Sequence, residues 1–280
     1  MSGLNGPERL DKHLRSRFPR WGRQAVQRVI GARQVQVNGR TIWLASWAVR
    51  NGDRVTVAAP PPDKPAPVAT FDDAWLITVE PELIAVNKPA GLLVEPVRGG
   101  DQANLRDLVS ARFGPLTLFH RLDRDTSGVV LFTRSAALNR ALAPAWQSHA
   151  VVKEYRALVA ARGALADSGV IDLYIAPHPT RRDMVAVVAR GGQRARTRYA
   201  VMGETAAGLL VQLWPETGRM HQLRVHLAAL GAPICGDRLY GDAGSALRLM
   251  LHAYRLTIPA LAGAPARTFV ALVPPGLDLT

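Results

Sequence analysis

The chain has 280 residues, 48% of them hydrophobic, and a formal net charge of +13. That hydrophobic share is enough for a packed core and excludes global disorder, while the longest charge-free runs, residues 141–152 and 225–236, are too short to cross a bilayer. The charge is uneven: residues 1–58 hold 11 Lys+Arg against 3 Asp+Glu, a net of +8, and such a field attracts a polyanion. No amphipathic helix with bulky apolar anchors is present to lie on a membrane, so nucleic acid is the expected partner. The opening residues lack the basic-then-apolar pattern of a secretory signal. The single cysteine, Cys235, allows no internal disulfide, so a reducing, cytoplasmic setting is expected.

In chain order, Pro7 suits the first position of a helix, with Leu10, Leu14 and Phe18 on one face and Arg9, Lys12 and Arg15 off it. A second short helix is predicted over residues 23–30, with Val26, Val29 and Ile30 inward. Val35-Gln36-Val37 then meets Asn38-Gly39, a strong hairpin signal, and Asn51-Gly52-Asp53 makes another turn before a strand over 54–57. Residues 59–67 are proline-rich. Proline removes donors and fixes the backbone, so this stretch reads as a stiff linker, and the domains divide as 1–58, a linker over 59–70, and 71–280.

In the second domain, residues 75–79 and 83–86 read as paired strands leading into Asn87-Lys88-Pro89-Ala90-Gly91-Leu92. Lys88 has two readings, a phosphate contact or a structural lysine beside a fixed turn. Leu105, Leu108, Val109 and Phe113 mark a helix. Next comes His120-Arg121-Leu122-Asp123-Arg124-Asp125-Thr126-Ser127-Gly128, a polar loop between two apolar flanks, 115–119 and 129–132, that read as buried strands. A loop held between core strands is rigid enough to fix a reactive group. Arg121 and Arg124 are expected to keep Asp123 ionised, and Thr126, Ser127 and Gly128 to make a tight turn. The same residues also fit an ordinary solvated connection.

Ser135 is placed to cap a helix carrying Leu138, Leu142 and Trp146. Residues 153–159 alternate as a strand, where Tyr155 on pattern alone is a core residue. Strands are further predicted over 169–175, 184–188, 194–202 and 209–213. Their alternation and short turns predict an α+β fold with a mixed, largely antiparallel sheet. Thr217-Gly218-Arg219-Met220-His221-Gln222-Leu223-Arg224-Val225-His226 opens a helix marked by Leu223, Leu227 and Leu230 and closed by Gly231. Leu251-His252-Ala253 reads as a late strand.

Several chemistries fail on spacing. The His-Arg-Leu-Asp run lacks the glycine-rich loop and D-F-G segment of a kinase, and no nucleophile elbow or Rossmann fingerprint exists. His221, His226, His252 and Cys235 lack metal-ligand spacing and read as hydrogen-bonded structural groups, so no metal is expected.

The nine residues from His120 to Gly128 match the H-R-L-D-x-x-T-S-G signature of RluA-type pseudouridine synthases. The chain resembles that family further in its N-K-P-x-G, K-x-Y-x-A and G-R-x-H-Q-L-R-x-H segments. It also matches through Gly231 to Asp237 and through Leu239-Tyr240-Gly241. Where many members carry a histidine after N-K-P-x-G, this chain has Glu95, and no role is given to it. Residues 1–58 resemble the S-four-type RNA-binding domain through Arg9-Leu10-Asp11-Lys12, the 23–30 helix, Val35 to Arg40 and Asn51 to Val55. The second helix departs from that pattern by starting Trp21-Gly22-Arg23, where a serine or threonine cap is usual.

The resemblance implies an isomerase that converts uridine to pseudouridine in structured RNA without a cofactor. It makes Asp123 the catalytic carboxylate, Arg224 its partner, and Tyr155 the residue that stacks on the base and takes up a proton. It makes Arg121 the group that fills the place of the flipped nucleotide. Three roles remain for the carboxylate: attack on ribose, attack on the base, or removal of a ribose proton. RNA contacts are expected from Lys88 and Arg219 as well, and from Arg9, Lys12, Arg15, Arg23, Arg28 and Arg40 in the first domain. Ribosomal RNA is favoured over transfer RNA, since an appended basic domain suits a large structured substrate, and a monomer is expected. The opposing reading is an RNA-binding ribosome-assembly factor that has lost catalysis. Such decay would have removed Asp123, Tyr155 or Arg224, and all three are present.

Overall fold

The computed structural model describes residues 7–19, 21, 26, 29–31, 33–58, 70–97, 102–205, 207–242, 244–261 and 264–278. The chain divides into two compact units, Met1–Val68 with Arg98–Asp101, and Ala69–Val97 with Gln102–Thr280. The 59–67 stretch lies outside the described residues, as do Arg23, Arg28 and most of the predicted 23–30 helix.

In the first unit, β1 (Glu8–Arg9) precedes α1 (Leu10–Arg17). The predicted start at Pro7 is therefore three residues early. Glu8 and Arg9 pair instead with β4 (Ala48–Val49), which holds Arg9 extended, and the helix begins after it. A three-stranded sheet joins β2 (Val35–Val37), β3 (Arg40–Thr41) and β5 (Val55–Val57) in the order β3-β2-β5. Its hairpin turns on Asn38 and Gly39, with φ of 52° and 80°, the pair of left-handed residues that this two-residue turn needs. Leu10 and Leu14 pack with Val26, Val29, Ile30, Val35 and Val55 into one core.

The second unit is built on one 11-stranded sheet. Its strands are β6 (Leu76–Val79), β7 (Leu83–Lys88), β8 (Thr117–Leu118), β9 (Ser127–Thr133), β10 (Val152–Val159) and β11 (Ser168–Pro177). They continue with β12 (Val185–Val188), β13 (Gln193–Thr205), β14 (Gly208–Pro215), β15 (Leu251–Ile258) and β16 (Arg267–Val270). The order is β12-β11-β13-β14-β10-β15-β9-β7-β6, with β16 beside β15 and β8 beside β9. Among the described residues only β15 and β9 run parallel; every other pair in this sheet is antiparallel, as the alternating patterns predict.

Three α-helices of the described residues cover the sheet: α2 (Leu105–Phe113), α3 (Ala136–Gln147) and α4 (Gln222–Ala229). Ser135 accepts from the Leu138 amide and caps α3, as expected. Strand β9 is buried on both faces. Val129 and Leu131 pack with Leu138 and Leu142 of α3, while Val130 and Phe132 pack with Leu105 and Val109 of α2. A strand covered on both faces reads as a continuous apolar run, which is how it stands in the sequence. On the other half of the sheet, Leu223 and Leu227 of α4 pack on Leu158, Leu210 and Leu213.

Ser127 and Gly128 are not in the expected turn but open β9, at the parallel seam where Gly128 faces Ala253. Gly128 has φ +118°, and a Cβ there would sit 2.2 Å from the Ala253 carbonyl oxygen. The signature glycine is required by two strands that touch backbone to backbone. Gly128→Ala is expected to lower stability by about 3 kcal/mol, roughly 6–12 °C in Tm, read by thermal and denaturant unfolding.

Candidate active site

The Asp123 loop, residues 119–126, hangs between β8 and β9 and is tied down from two sides. Lys88 donates to the carbonyls of Pro89 at 3.0 Å, Leu92 at 2.8 Å and Arg124 at 2.9 Å. Gly91 adds its amide to the same Arg124 oxygen at 2.9 Å. On the other side His120 Nε2 accepts from the Leu131 amide at 3.0 Å, and Leu122 is buried against Val86 and Val130. Burial pushes His120 down to about 3, with Lys153 adding to the effect, so the ring is neutral and its proton is on Nδ1.

Lys88 is fully buried, and each of its three donors has a carbonyl. Burial pushes its ammonium down to about 7, opposed by Asp125 and Asp123. The expected phosphate contact is corrected: Lys88 is a structural brace that fastens the N-K-P-x-G segment to the Asp loop.

The neighbours of Asp123 also differ from expectation. Arg124 turns away and pairs with Asp125 at 3.0 Å, and Arg121 is exposed. The cation that meets Asp123 is Arg224 of α4, whose Nη1 donates to Oδ2 at 3.3 Å. Arg224 is in turn gripped by Asp237, Nε to Oδ2 at 2.8 Å and Nη2 to Oδ1 at 2.7 Å. The Asp237 side chain is 0% exposed and that of Arg224 6%, whereas Asp123 keeps 28% and so remains reachable. Burial pushes the Asp237 carboxyl up, but the Arg224 guanidinium and the amides of Leu239 and Tyr240 outweigh it. They hold the carboxyl below the usual carboxylate range. Two carboxylates thus share one guanidinium, one buried and saturated, the other open.

His221 completes the group. It stands just before α4 in the left-handed region, φ 52°, with Nε2 3.8 Å from Asp123 Oδ2 and Nδ1 3.0 Å from the Tyr240 hydroxyl. That hydroxyl also accepts from the Val185 amide at 2.8 Å, which fixes its position beside His221. Burial pushes His221 below the usual histidine range, against the opposing pull of Asp123, so the ring is neutral.

Tyr155 is half-buried on β10, packed among residues on both sides of the seam. Burial, with the Asp123 charge behind it, pushes its phenol up, so it is neutral at physiological pH. Arg219 is exposed on the loop before α4. In the first unit, Arg9 pairs with Asp11 and Lys12 with Glu8; Arg15 donates to the Asp11 carbonyl, and Arg40 is exposed. The structure therefore brings together Asp123 and Arg224, with Tyr155 near enough to feel the Asp123 charge, and adds His221, Asp237 and Tyr240. His226 and His252 make buried hydrogen bonds to Thr197 and Ser127, as structural histidines do, and among the described residues no cluster fit for a metal ion occurs.

The site is thus an open carboxylate clamped by a buried arginine, with a neutral phenol near enough to feel its charge. The sequence model of the RNA pseudouridylate synthase family matches residues 82–229, which contain Asp123, Tyr155 and Arg224. The chain belongs to this family. It is similar to an uncharacterized RNA pseudouridine synthase of Chloroflexus aurantiacus, 35% identical over 97% of this chain and 88% of the relative. It is 32% identical to a ribosomal large subunit pseudouridine synthase D of Nitrosomonas europaea, over 89% and 76%. Among solved structures, human RNA pseudouridylate synthase domain containing 1 aligns with a TM-score of 0.62 and 27% identity, covering 72% of this chain and 85% of that one. As an RNA pseudouridylate synthase the protein is an isomerase acting on RNA, and its mixed, mostly antiparallel sheet is the fold shared with that structure.

Proposed function

We propose that the protein isomerises specific uridines of ribosomal RNA to pseudouridine, with Asp123 as the catalytic residue. The observation that carries this is the 3.3 Å contact between Asp123 and Arg224, itself locked by Asp237. The reaction breaks the bond from ribose carbon 1′ to N1 and forms one from the same carbon to carbon 5. The proton lost from carbon 5 is balanced by one gained at N1, and nothing is oxidised. Asp123 starts the exchange at the sugar or the base, and Arg224 orients its carboxylate. Tyr155 stacks on the base and takes part in moving the carbon 5 proton. A uridine inside folded RNA must leave the stack to reach Asp123, and Arg121 on the rim takes its place.

The first domain, residues 1–58, docks the RNA through its basic surface, and the resemblance to the S-four type supports this reading. Ribosomal RNA is favoured because a relative of 32% identity carries the name of a ribosomal large subunit enzyme. We place the protein in the cytoplasm as a monomer.

The test is to treat unmodified ribosomal and transfer RNA with the purified protein and map pseudouridine at each position. Modification of one or a few ribosomal uridines is expected. Modification confined to transfer RNA would move the substrate, and none in either would refute the reading.

A further inference from the structure

Strand β13 turns Ala195, Thr197 and Tyr199 into the core, so Arg194, Arg196 and Arg198 share the opposite face. There they line a cleft of about 410 Å³ with Lys153 of β10 and Trp214 of β14. The arginines are splayed by two carboxylates. Asp172 accepts from Arg194 at 2.9 and 2.6 Å. Glu216 accepts from Arg198 at 3.1 Å and meets Arg196 Nη1 at 3.0 Å. Four cations against two carboxylates leave the cleft positive. Arg196 Nε is buried and makes no hydrogen bond among the described residues, with Asp172 Oδ2 3.8 Å away, and the Arg198 guanidinium lies 5.5 Å from the Trp214 ring centre.

This cleft adjoins the active site through two chain segments. Thr217 lines it, and His221, four residues on, stands 3.8 Å from Asp123. Lys153 Nζ would be 3.9 Å from a Cβ at Gly218, and its charge is felt by His120 at the head of the Asp loop. Alternate residues of a strand stand about 6.7 Å apart, on the order of one nucleotide step. Arginines carried by the strand at that interval, beside a partly exposed indole, suit phosphates in series and a base face once their carboxylate partners give way.

We propose that this cleft binds the phosphodiester backbone of the RNA on one side of the target uridine, with a flanking base stacked on Trp214. The proposal rests on the RNA-substrate reading above and adds a second RNA-binding surface, located within the catalytic domain. The side-chain hydrogen bonds and ion pairs of Arg194, Arg196, Arg198 and Glu216 run to one another and to Asp172, not to Asp123, Tyr155 or Arg224, so on this proposal they act on affinity and register and leave the chemical step alone.

The test uses the full-length protein, a short single-stranded RNA of mixed sequence, and a salt titration of Kd. Single-turnover pseudouridine formation at saturating ribosomal RNA is followed alongside. Arg194→Gln with Arg198→Gln is expected to weaken binding about tenfold, with the saturated rate unchanged. The salt slope should flatten by about 0.7 for each phosphate that the variant no longer neutralises. Trp214→Ala is expected to weaken binding by about tenfold with the slope intact. Glu216→Gln discriminates most sharply. It releases Arg196 and Arg198 and is expected to tighten binding about threefold, whereas a bridge serving only the fold would give weaker binding or none.

Unchanged affinity and slope in the double arginine variant would overturn the proposal. Weakening by Glu216→Gln would do so too, as would stronger competition by polyglutamate than by RNA, which would assign the cleft to an acidic protein. Because Kd is read apart from turnover, a wild-type protein that binds through the cleft yet forms no pseudouridine would sink the catalytic reading alone.

Discussion

Asp123→Asn is expected to fold, to bind RNA, and to form no pseudouridine. The amide keeps the size of the carboxylate and can still accept from Arg224 Nη1, so the 3.3 Å contact survives in weaker form. Arg224 is not left as an unpaired buried cation, because Asp237 continues to hold it through two hydrogen bonds. The loop loses no anchor either, since its ties run through Lys88, Gly91 and His120. Only the charge proposed to act on the uridine is removed. Removing a group that acts directly on the substrate costs on the order of 10⁴-fold or more in single-turnover rate. Release of tritium from carbon 5 of labelled uridine in RNA measures it, with a binding isotherm and a melting curve as controls. Turnover within tenfold of wild type would remove Asp123 from the centre of the reaction.

Asp237→Asn should cost both stability and activity. The Arg224–Asp237 pair is almost wholly buried, and breaking such a pair leaves a desolvated charge without its counterion, a loss of about 3–5 kcal/mol. The freed guanidinium has one remaining carboxylate, Asp123, and would swing toward it. That movement changes the orientation of the Asp123 oxygens, so under the proposed mechanism kcat should fall by about a hundredfold or more while RNA affinity holds. The pH dependence separates this from a general loosening. The folded Asp237 carboxyl titrates below its ordinary value of 3.8, so its contribution to stability is complete above that value. It disappears as pH falls through the lowered pKa. The stability gap between wild type and variant should therefore be constant from about pH 5 to 8 and close in acid. A gap that stays open at the acid end would assign the loss to packing.

Much of the architecture could be read along the chain because the forces involved are local. Residues 129–132 are apolar without a break since β9 is covered on both faces by α2 and α3. Asn38-Gly39 turns a hairpin because those two residues accept positive φ. Ser135 caps a helix with its own hydroxyl. Family resemblance then singled out Asp123, Tyr155 and Arg224 for roles that spacing alone could not supply; periodicity had left Tyr155 as a core residue.

Other features became visible only in three dimensions. Asp123 has arginines one and two residues away, yet its partner is Arg224, 101 residues along the chain. Arg124 is drawn off by Asp125, and the sheet brings the start of α4 to the loop. Lys88 looked equally able to meet a phosphate until its burial against three carbonyls gave it a bracing role. His221 and Tyr240 stood in recognised motifs without a task, because the two meet each other and the Val185 amide of another strand only in the folded chain. Sequence by itself determined most of the strands and helices of the catalytic domain, since these depend on neighbours in the chain, although the strand expected over 115–119 shrinks to Thr117–Leu118. Tertiary structure decided which charges meet, because a carboxylate responds to the nearest cation in space and to the water that burial removes.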